Sequence, residues 1–285
     1  MKETAYVLQA ALITSWWLGL AIDHRFFMAF QFNGISAIAF WAFCIPDLFV
    51  IAALSLLRAY QPWQFIEWIV LGGFAYGALY CVNATVLTGS GYLPSSLMIV
   101  GLFYNLFLCF QDHAFRTSTQ TGPWVNALKT LVQTVCMWVI FLLVFPSILL
   151  AAFDAWHLPS RGATVGIGIA LFLLFSSLGL SSAYFMVRYG DGTPLPLDQT
   201  NRLVTRGPYR ILRNPMAVAG IGQGIAIAIL FWSLPILVYS ILGGIVWHLA
   251  VRPFEERDMQ RRFGSAYVEY RKQVRCWIPT FRYKP

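Results

Sequence analysis

Charge is what this chain has least of. Only 11% of its 285 residues are Asp, Glu, Lys or Arg, against roughly a quarter in a soluble domain. An enlarged core does not account for so great a shortfall. With 58% hydrophobic residues and a mean hydropathy of +0.64, the composition points to an all-α, polytopic integral membrane protein. Alternating segments of about ten residues are also lacking, which excludes a transmembrane barrel. The five cysteines (Cys44, Cys81, Cys109, Cys136 and Cys276) form no C-x-x-C pair, so neither a disulfide framework nor a zinc site is supported. They read as small apolar packing residues. No Ser-His-Asp set stands out, and His248 has no second metal-ligand candidate at helical spacing. Internal repeats and low-complexity tracts are absent. The positive charge has no nucleic-acid module around it, so nucleic acid is not an expected partner.

What the chain does have is long apolar runs, at about 5–22, 36–57, 64–86, 93–110, 130–153 and 163–187, followed by 216–250. The last is long enough for two helices, with "FWSLP" from Phe231 to Pro235 as the turn, giving about eight spans. The start, "MKETAYVLQAALITSWWLGLAI", lacks a basic leader and a small-residue cleavage site, and reads as the first span. Net charge is +8, and all the excess lies from Arg188 onward; residues 1–187 balance to zero. Two parts follow, a hydrophobic N-terminal transmembrane bundle (1–187) and a charged C-terminal unit (188–285). The positive-inside rule puts both termini in the cytoplasm, with Lys2, Arg58, Arg116, Lys129 and the Arg188–Arg213 loop inside and Arg25 and Arg161 outside. Within the spans, Asp47 follows Pro46 and reads either as a cavity-facing group or as a hydrogen-bonded structural acid. Glu67 sits near a membrane end and is expected to reach water. Asp112 and His113 are expected to be a solvated loop pair. The "NAT" at Asn83 falls in or at the end of a span and is discounted as a glycosylation site.

The polar stretch "GDGTPLPLDQTNRLVTRGPYRILRNPM" is too polar to cross a bilayer and too rich in turns to be one helix. Pro194 and Pro196 hold an extended entry. Pro208 suits the first position of a short helix, on which Arg210, Arg213 and Asn214 would share a face. Pro215 begins the next membrane helix. Beyond the hairpin, Met259, Phe263, Tyr267, Tyr270 and Val274 make an apolar stripe with Arg261, Arg262, Arg271 and Lys272 away from it, interrupted at Gly264. Most of this tail is expected to lie on anionic lipid as an amphipathic helix. The adjacent acids Glu255 and Glu256 need cations facing them. An antiparallel hairpin returns the chain to the side it left, so Arg210–Met216 should lie near Arg252–Glu256. Guanidinium donors and a carboxylate pair at one place suit a mixed-charge ligand at the bilayer surface.

These residues carry a resemblance. "LVTRGPYRILRNPM", a helical hairpin and "EERDMQRRFGSAYVEYRKQVRCWIP" resemble the isoprenylcysteine carboxyl methyltransferase family, within a wider phospholipid methyltransferase-like superfamily. The resemblance covers about residues 190–280. It implies that 188–285 binds S-adenosyl-L-methionine and directs its methyl group to a lipophilic small-molecule or lipid substrate at a lipid-accessible cavity. Asn201, Arg202, Leu203, Val204 and Tyr209 match positions that touch the cofactor in that family. Asn214, Pro215 and Met216 match its His/Asn-Pro-x step, and Glu255 its cofactor-binding glutamate. Arg252 lies one position from an arginine associated with the substrate carboxylate. Where the family has tyrosine two residues after the proline, this chain has Ala217, and the following glycine is displaced to Gly220. Arg213, Arg252 and Glu256 are the candidate catalytic residues; Ala217 joins the cofactor-contacting set. Two other readings stay open: an NADPH-dependent reductase of the sterol reductase type, with the arginines on the 2′-phosphate, and a non-catalytic protein whose basic tail binds anionic lipid or a partner.

Overall fold

The computed structural model describes residues 1–119, 122–156, 162–194 and 198–281, with no side-chain description at 112–114. The expected Asp112–His113 pair, and the roles expected of Arg161 and Pro196, lie outside the described residues. Among those described, 80% is helical and strands are absent. Among the described residues nine helices carry the fold: α1 (Lys2–Ile22), α2 (His24–Phe30), α3 (Ala37–Tyr60), α4 (Gln64–Thr88), α5 (Tyr92–Ala114), α6 (Pro123–Ala152), α7 (Gly162–Gly190), α8 (Pro215–Leu230) and α9 (Leu234–Gln273). Seven of them, all but α2 and α8, are long and apolar enough to cross a membrane. The apolar α8 has 16 residues, so it spans about 24 Å, somewhat short of a bilayer's hydrocarbon core. The protein is thus an all-α polytopic membrane protein with a C-terminal helical hairpin, as its composition implies.

Three long helices widen into π turns, at Asp47–Ala53, Val139–Val144 and Trp247–Val251. Each lies next to, or within two residues of, a proline: Pro46, Pro146 and Pro253. Proline has no N–H to give the preceding turn, and a local wide turn lets a membrane helix redistribute the freed carbonyls.

By packing, the chain divides into two compact units. One comprises Met1–Gln111, Ile148–Ala155 and His248–Ala250; the other comprises Asp112–Ser147, Trp156–Trp247 and Val251–Pro285. The packing boundary therefore falls earlier than the charge boundary near residue 187, since α7 goes with the charged segment it precedes.

In the first unit several polar side chains inside the helices pair with one another, while Tyr6 Oη, Trp16 Nε1, Asn105 Oδ1 and Gln111 Oε1 are buried without partners. Gln9 donates to Ser55 Oγ at 2.8 Å and accepts from Asn105 at 2.8 Å. Glu67 does not reach water. It is 2% exposed, held by Arg58 Nε at 2.8 Å and by Lys2 Nζ at 2.9 Å, with Arg58 stacked over the Tyr6 ring. An acid inside a bundle is retained only when paired, and α1 and α3 supply the partners.

The second unit rests on a close approach of α7 and α8. A Cβ at Gly168 would stand 2.9 Å from Leu230 Cα, and one at Gly222 would strike the Phe175 ring. Small residues let two backbones meet in lipid, where apolar burial alone gives little drive to associate. Gln223 then donates to Ser176 Oγ across the contact at 2.9 Å. After α8 the chain turns at Phe231–Ser233, with Trp232 at a left-handed φ of +50°, and enters α9. This is the turn expected from "FWSLP".

Candidate functional site

The polar segment between α7 and α8 is pinned at both ends. Gln199 N–H donates to Arg116 O at 2.8 Å, and Ser118 N–H donates to Gln199 O at 2.9 Å. Lys129 pairs with Asp198 at 3.0 Å. The Asn201 side-chain amide donates to Ser118 O and Asp191 O, and Arg202 pairs with Asp191 at 2.8 Å. Of these two residues, matched above to cofactor-contacting positions, Asn201 has its amide donors engaged in shaping the loop, and Arg202 contributes its Nε while its side chain stays exposed. Val204 is buried.

Gly207 opens a 3₁₀ turn, Gly207–Arg210, with Pro208 at its start as expected. Its φ is +59°, and a Cβ there would stand 2.5 Å from the Phe185 ring, so glycine is required on both counts. The turn ends at Arg210, and Arg213 and Asn214 lie in a bend beyond it. The expected shared helical face of Arg210, Arg213 and Asn214 is therefore not formed; two more residues of helix would carry Arg213 away from its partners on α9. Pro215 starts α8 from an Asn214 cap whose side chain makes no capping bond. Met216 and Ala217 follow in its first turn, both partly buried.

Arg213 is the centre of the site. Its guanidinium donates to Glu256 at 2.8 Å and to the carbonyls of Arg271 and Val274 at 3.1 Å each. Its backbone N–H donates to Arg275 O at 2.9 Å. Arg252 and Arg271 stand 3.8 and 3.7 Å from the same Glu256 carboxylate. The return of the hairpin thus brings Arg213, Arg252 and Glu256 together, and three guanidiniums share one carboxylate. The Nε atoms of Arg213 and Arg252 are buried without hydrogen-bond partners.

Glu255 lies on the next position of α9. Only about the first twenty residues of that 40-residue helix can occupy hydrocarbon, and the charged part from Arg252 onward lies outside it. Burial and the neighbouring Glu256 carboxylate push Glu255 up to about 7. No cation among the described residues is within ion-pair distance of it. Tyr209 is 4% exposed, its hydroxyl has no hydrogen-bond partner, and it lies within electrostatic reach of Glu255 and Tyr270. Burial raises this phenol further, so it stays protonated and remains a donor. Surplus guanidinium donors, one orphaned hydroxyl and one carboxylate without a counter-ion form a set that fits an amino acid headgroup on an adenosyl ligand.

The tail helix departs from expectation. Its stripe does form, broken at Gly264, but Tyr267, Tyr270 and Val274 are buried, with Leu203, Met259 and Phe263 packed against them. The stripe is covered by the protein's own loop and is not laid on lipid. Tyr270 Oη donates to Tyr209 O at 2.7 Å. Arg262 bridges Asp258 and the Thr200 carbonyl, both at 2.7 Å. These ties were not read from sequence. The spacing of Asp258 and Arg262, four apart on a helix, was the available signal. Arg271 had no comparable mark.

Comparison with known proteins places the family match on α7 to α9 and the segment between them. Residues 163–266 match the phospholipid methyltransferase family. A phosphatidylethanolamine N-methyltransferase of Chaetomium globosum is 26% identical over 205 residues, 67% of this chain. The chain spans only 20% of that relative's length. The resemblance to the wider phospholipid methyltransferase-like superfamily is borne out by both matches, and the matched description is of the phospholipid branch. No solved structure matches.

Proposed function

We propose that the protein is a membrane-embedded, S-adenosyl-L-methionine-dependent methyltransferase acting on a lipophilic substrate, with a lipid as the acceptor in preference to an isoprenylcysteine carboxylate. The observation that carries this is the convergence of Arg213, Arg252 and Arg271 on Glu256 beside the unpaired Glu255 and Tyr209, all but Arg271 inside the segment that matches the phospholipid methyltransferase family. Both termini would face the cytoplasm, where the excess positive charge belongs. The unit performing the chemistry is 188–285, supported from the membrane side by α7.

S-adenosyl-L-methionine, when bound, supplies an electrophilic methyl on a positive sulfonium. The guanidiniums would hold its carboxylate, Glu255 its positively charged groups, and Tyr209 would donate to one of its acceptors. The loop around Leu203 and Val204 and the start of α8 (Asn214, Pro215, Met216, Ala217) would form the apolar wall. Methyl transfer is an in-line displacement that depends on holding two groups in line. An amine acceptor must first lose a proton, and Glu255 or Glu256 would be the nearby carboxylate to take it. Ala217, where the resembled family has tyrosine, leaves more room on that wall, which suits a bulkier headgroup.

Calorimetry of the purified protein with S-adenosyl-L-methionine, S-adenosylhomocysteine and NADPH tests the reading. Binding of both adenosyl ligands is expected. Micromolar NADPH binding with neither adenosyl ligand taken up would replace it with the reductase reading. Transfer of a labelled methyl group to lipid in nanodiscs containing ethanolamine headgroups then tests the acceptor.

A further inference from the structure

Two acids are buried in the first unit, and they are treated differently. Glu67 is closed by two cations. Asp47, in the middle of α3 and 5% exposed, has a single neutral donor, Trp17 Nε1 at 3.1 Å from Oδ2. No Lys, Arg or His among the described residues is within ion-pair distance of it. The other titratable groups in reach, Cys44 and Cys81, carry no positive charge in either form. Asp47 also opens the π turn Asp47–Ala53, a feature that concentrates at functional positions in helices.

Trp17, the donor to this acid, belongs to a closed circuit of aromatic side chains. Trp17 meets Phe40 at 5.9 Å between ring centroids, Phe40 meets Phe27 at 5.2 Å, Phe27 meets Trp41 at 5.9 Å, and Trp41 meets Trp17 at 5.5 Å. Trp17, Phe27 and Phe40 are buried, whereas Trp41 is 36% exposed. Beside the circuit, Trp16 stands 4.9 Å from Trp17, its indole N–H buried without a partner. Aromatic faces carry negative potential and favour weakly hydrated organic cations. A hard metal ion would need several oxygen ligands at once, and no group of three His, Cys, Asp or Glu that could hold one exists among the described residues.

We propose that Asp47 and the ring circuit of Trp17, Phe27, Phe40 and Trp41 form a binding site for an alkylammonium group, primary or methylated, entering past Trp41 from the bilayer. The carboxylate supplies the counter-charge and the rings supply the cation–π surface. The cation completes an acid that the protein itself leaves uncompensated. This site is independent of the methyltransferase reading and is tested by binding alone.

The protein is placed in nanodiscs made only of a glycerol-headgroup anionic lipid and titrated with tetramethylammonium and methylammonium chloride. Parallel discs are doped with ethanolamine- or choline-headgroup lipid, and retained lipid is read by native mass spectrometry. Saturable binding is expected, weakened at least about tenfold by Asp47→Asn, which keeps an acceptor for Trp17, and several-fold by Trp41→Leu at the exposed edge. Glu269→Gln, at an exposed acid near the end of α9, should leave it unchanged. Uptake of the soluble amines alone assigns the site to free amines; selective lipid retention assigns it to headgroups. Equal binding by wild type and Asp47→Asn, equal competition by sodium, or no saturable uptake in either arm would overturn the proposal.

Discussion

Two carboxylates, Glu67 in one compact unit and Glu256 in the other, are handled in opposite ways. Around Glu67, Arg58 and Lys2 close on the carboxylate and match its charge within the protein. Around Glu256 there are more donors than acceptors. Three guanidiniums meet one carboxylate, and two Nε atoms and a tyrosine hydroxyl are left over. A cluster that satisfies itself specifies packing, whereas one with surplus donors is built to be completed by something else.

The largest expected effect breaks the self-satisfied cluster. Glu67→Gln leaves Arg58 without its counter-ion inside the bundle and should cost about 3–5 kcal/mol. Thermal unfolding in detergent measures it, and S-adenosylhomocysteine affinity of the surviving folded protein should be unchanged. The next effect falls on ligand binding. Arg213→Ala should weaken S-adenosylhomocysteine about 100-fold by calorimetry, within the range for removing one partner of a buried charged contact. Unaltered affinity would remove Arg213 from the site. Tyr209→Phe deletes only an unpartnered hydroxyl. Stability without ligand should hold or rise slightly, while affinity falls about five- to tenfold if that hydroxyl donates to the ligand.

The smallest effect is one of pH. Because the folded protein holds the Glu255 proton up to about 7, above the ordinary carboxylate range, the folded state binds this proton more tightly than the unfolded chain. That contribution to stability is present at low pH and is lost as pH rises toward about 7. Ionised Glu255 is the form that would hold a cationic ligand group. Affinity for S-adenosyl-L-methionine should therefore rise several-fold between pH 6 and 8, and Glu255→Gln should flatten the profile. A pH-independent wild type would sink the assignment.

Much of this was legible in the residues themselves. Apolar run lengths predict the spans closely because a bilayer admits little variation in helix length. The meeting of Arg213 with Glu256 follows from the hairpin, since two antiparallel helices of similar length must return the chain to its starting side. The π turns lie near prolines already visible in the sequence. What could not be read was direction around a helix. Lys2 and Glu67 are 65 positions apart, and only tertiary packing turns them toward each other. The Met259–Val274 stripe has the spacing of a lipid-facing helix and of a packed one alike. Its burial against Leu203 depends on where the loop lies. The short 3₁₀ turn at Gly207–Arg210 likewise ended earlier than helical spacing suggested, because Arg213 is drawn to Glu256 and to carbonyls near the end of α9.

The stitching of the polar loop to residues 271–280 also imposes an order on biosynthesis. Arg213 is held by Arg271, Val274 and Arg275, and Ile211 O receives Thr280 N–H at 2.7 Å. None of these partners exists when the loop is first made. Both helices of the hairpin must be inserted before their ends can meet. During synthesis Arg213 therefore lacks these partners until residues 271–280 have left the ribosome, and a nascent chain halted earlier would carry the hairpin without the contacts that fix the loop.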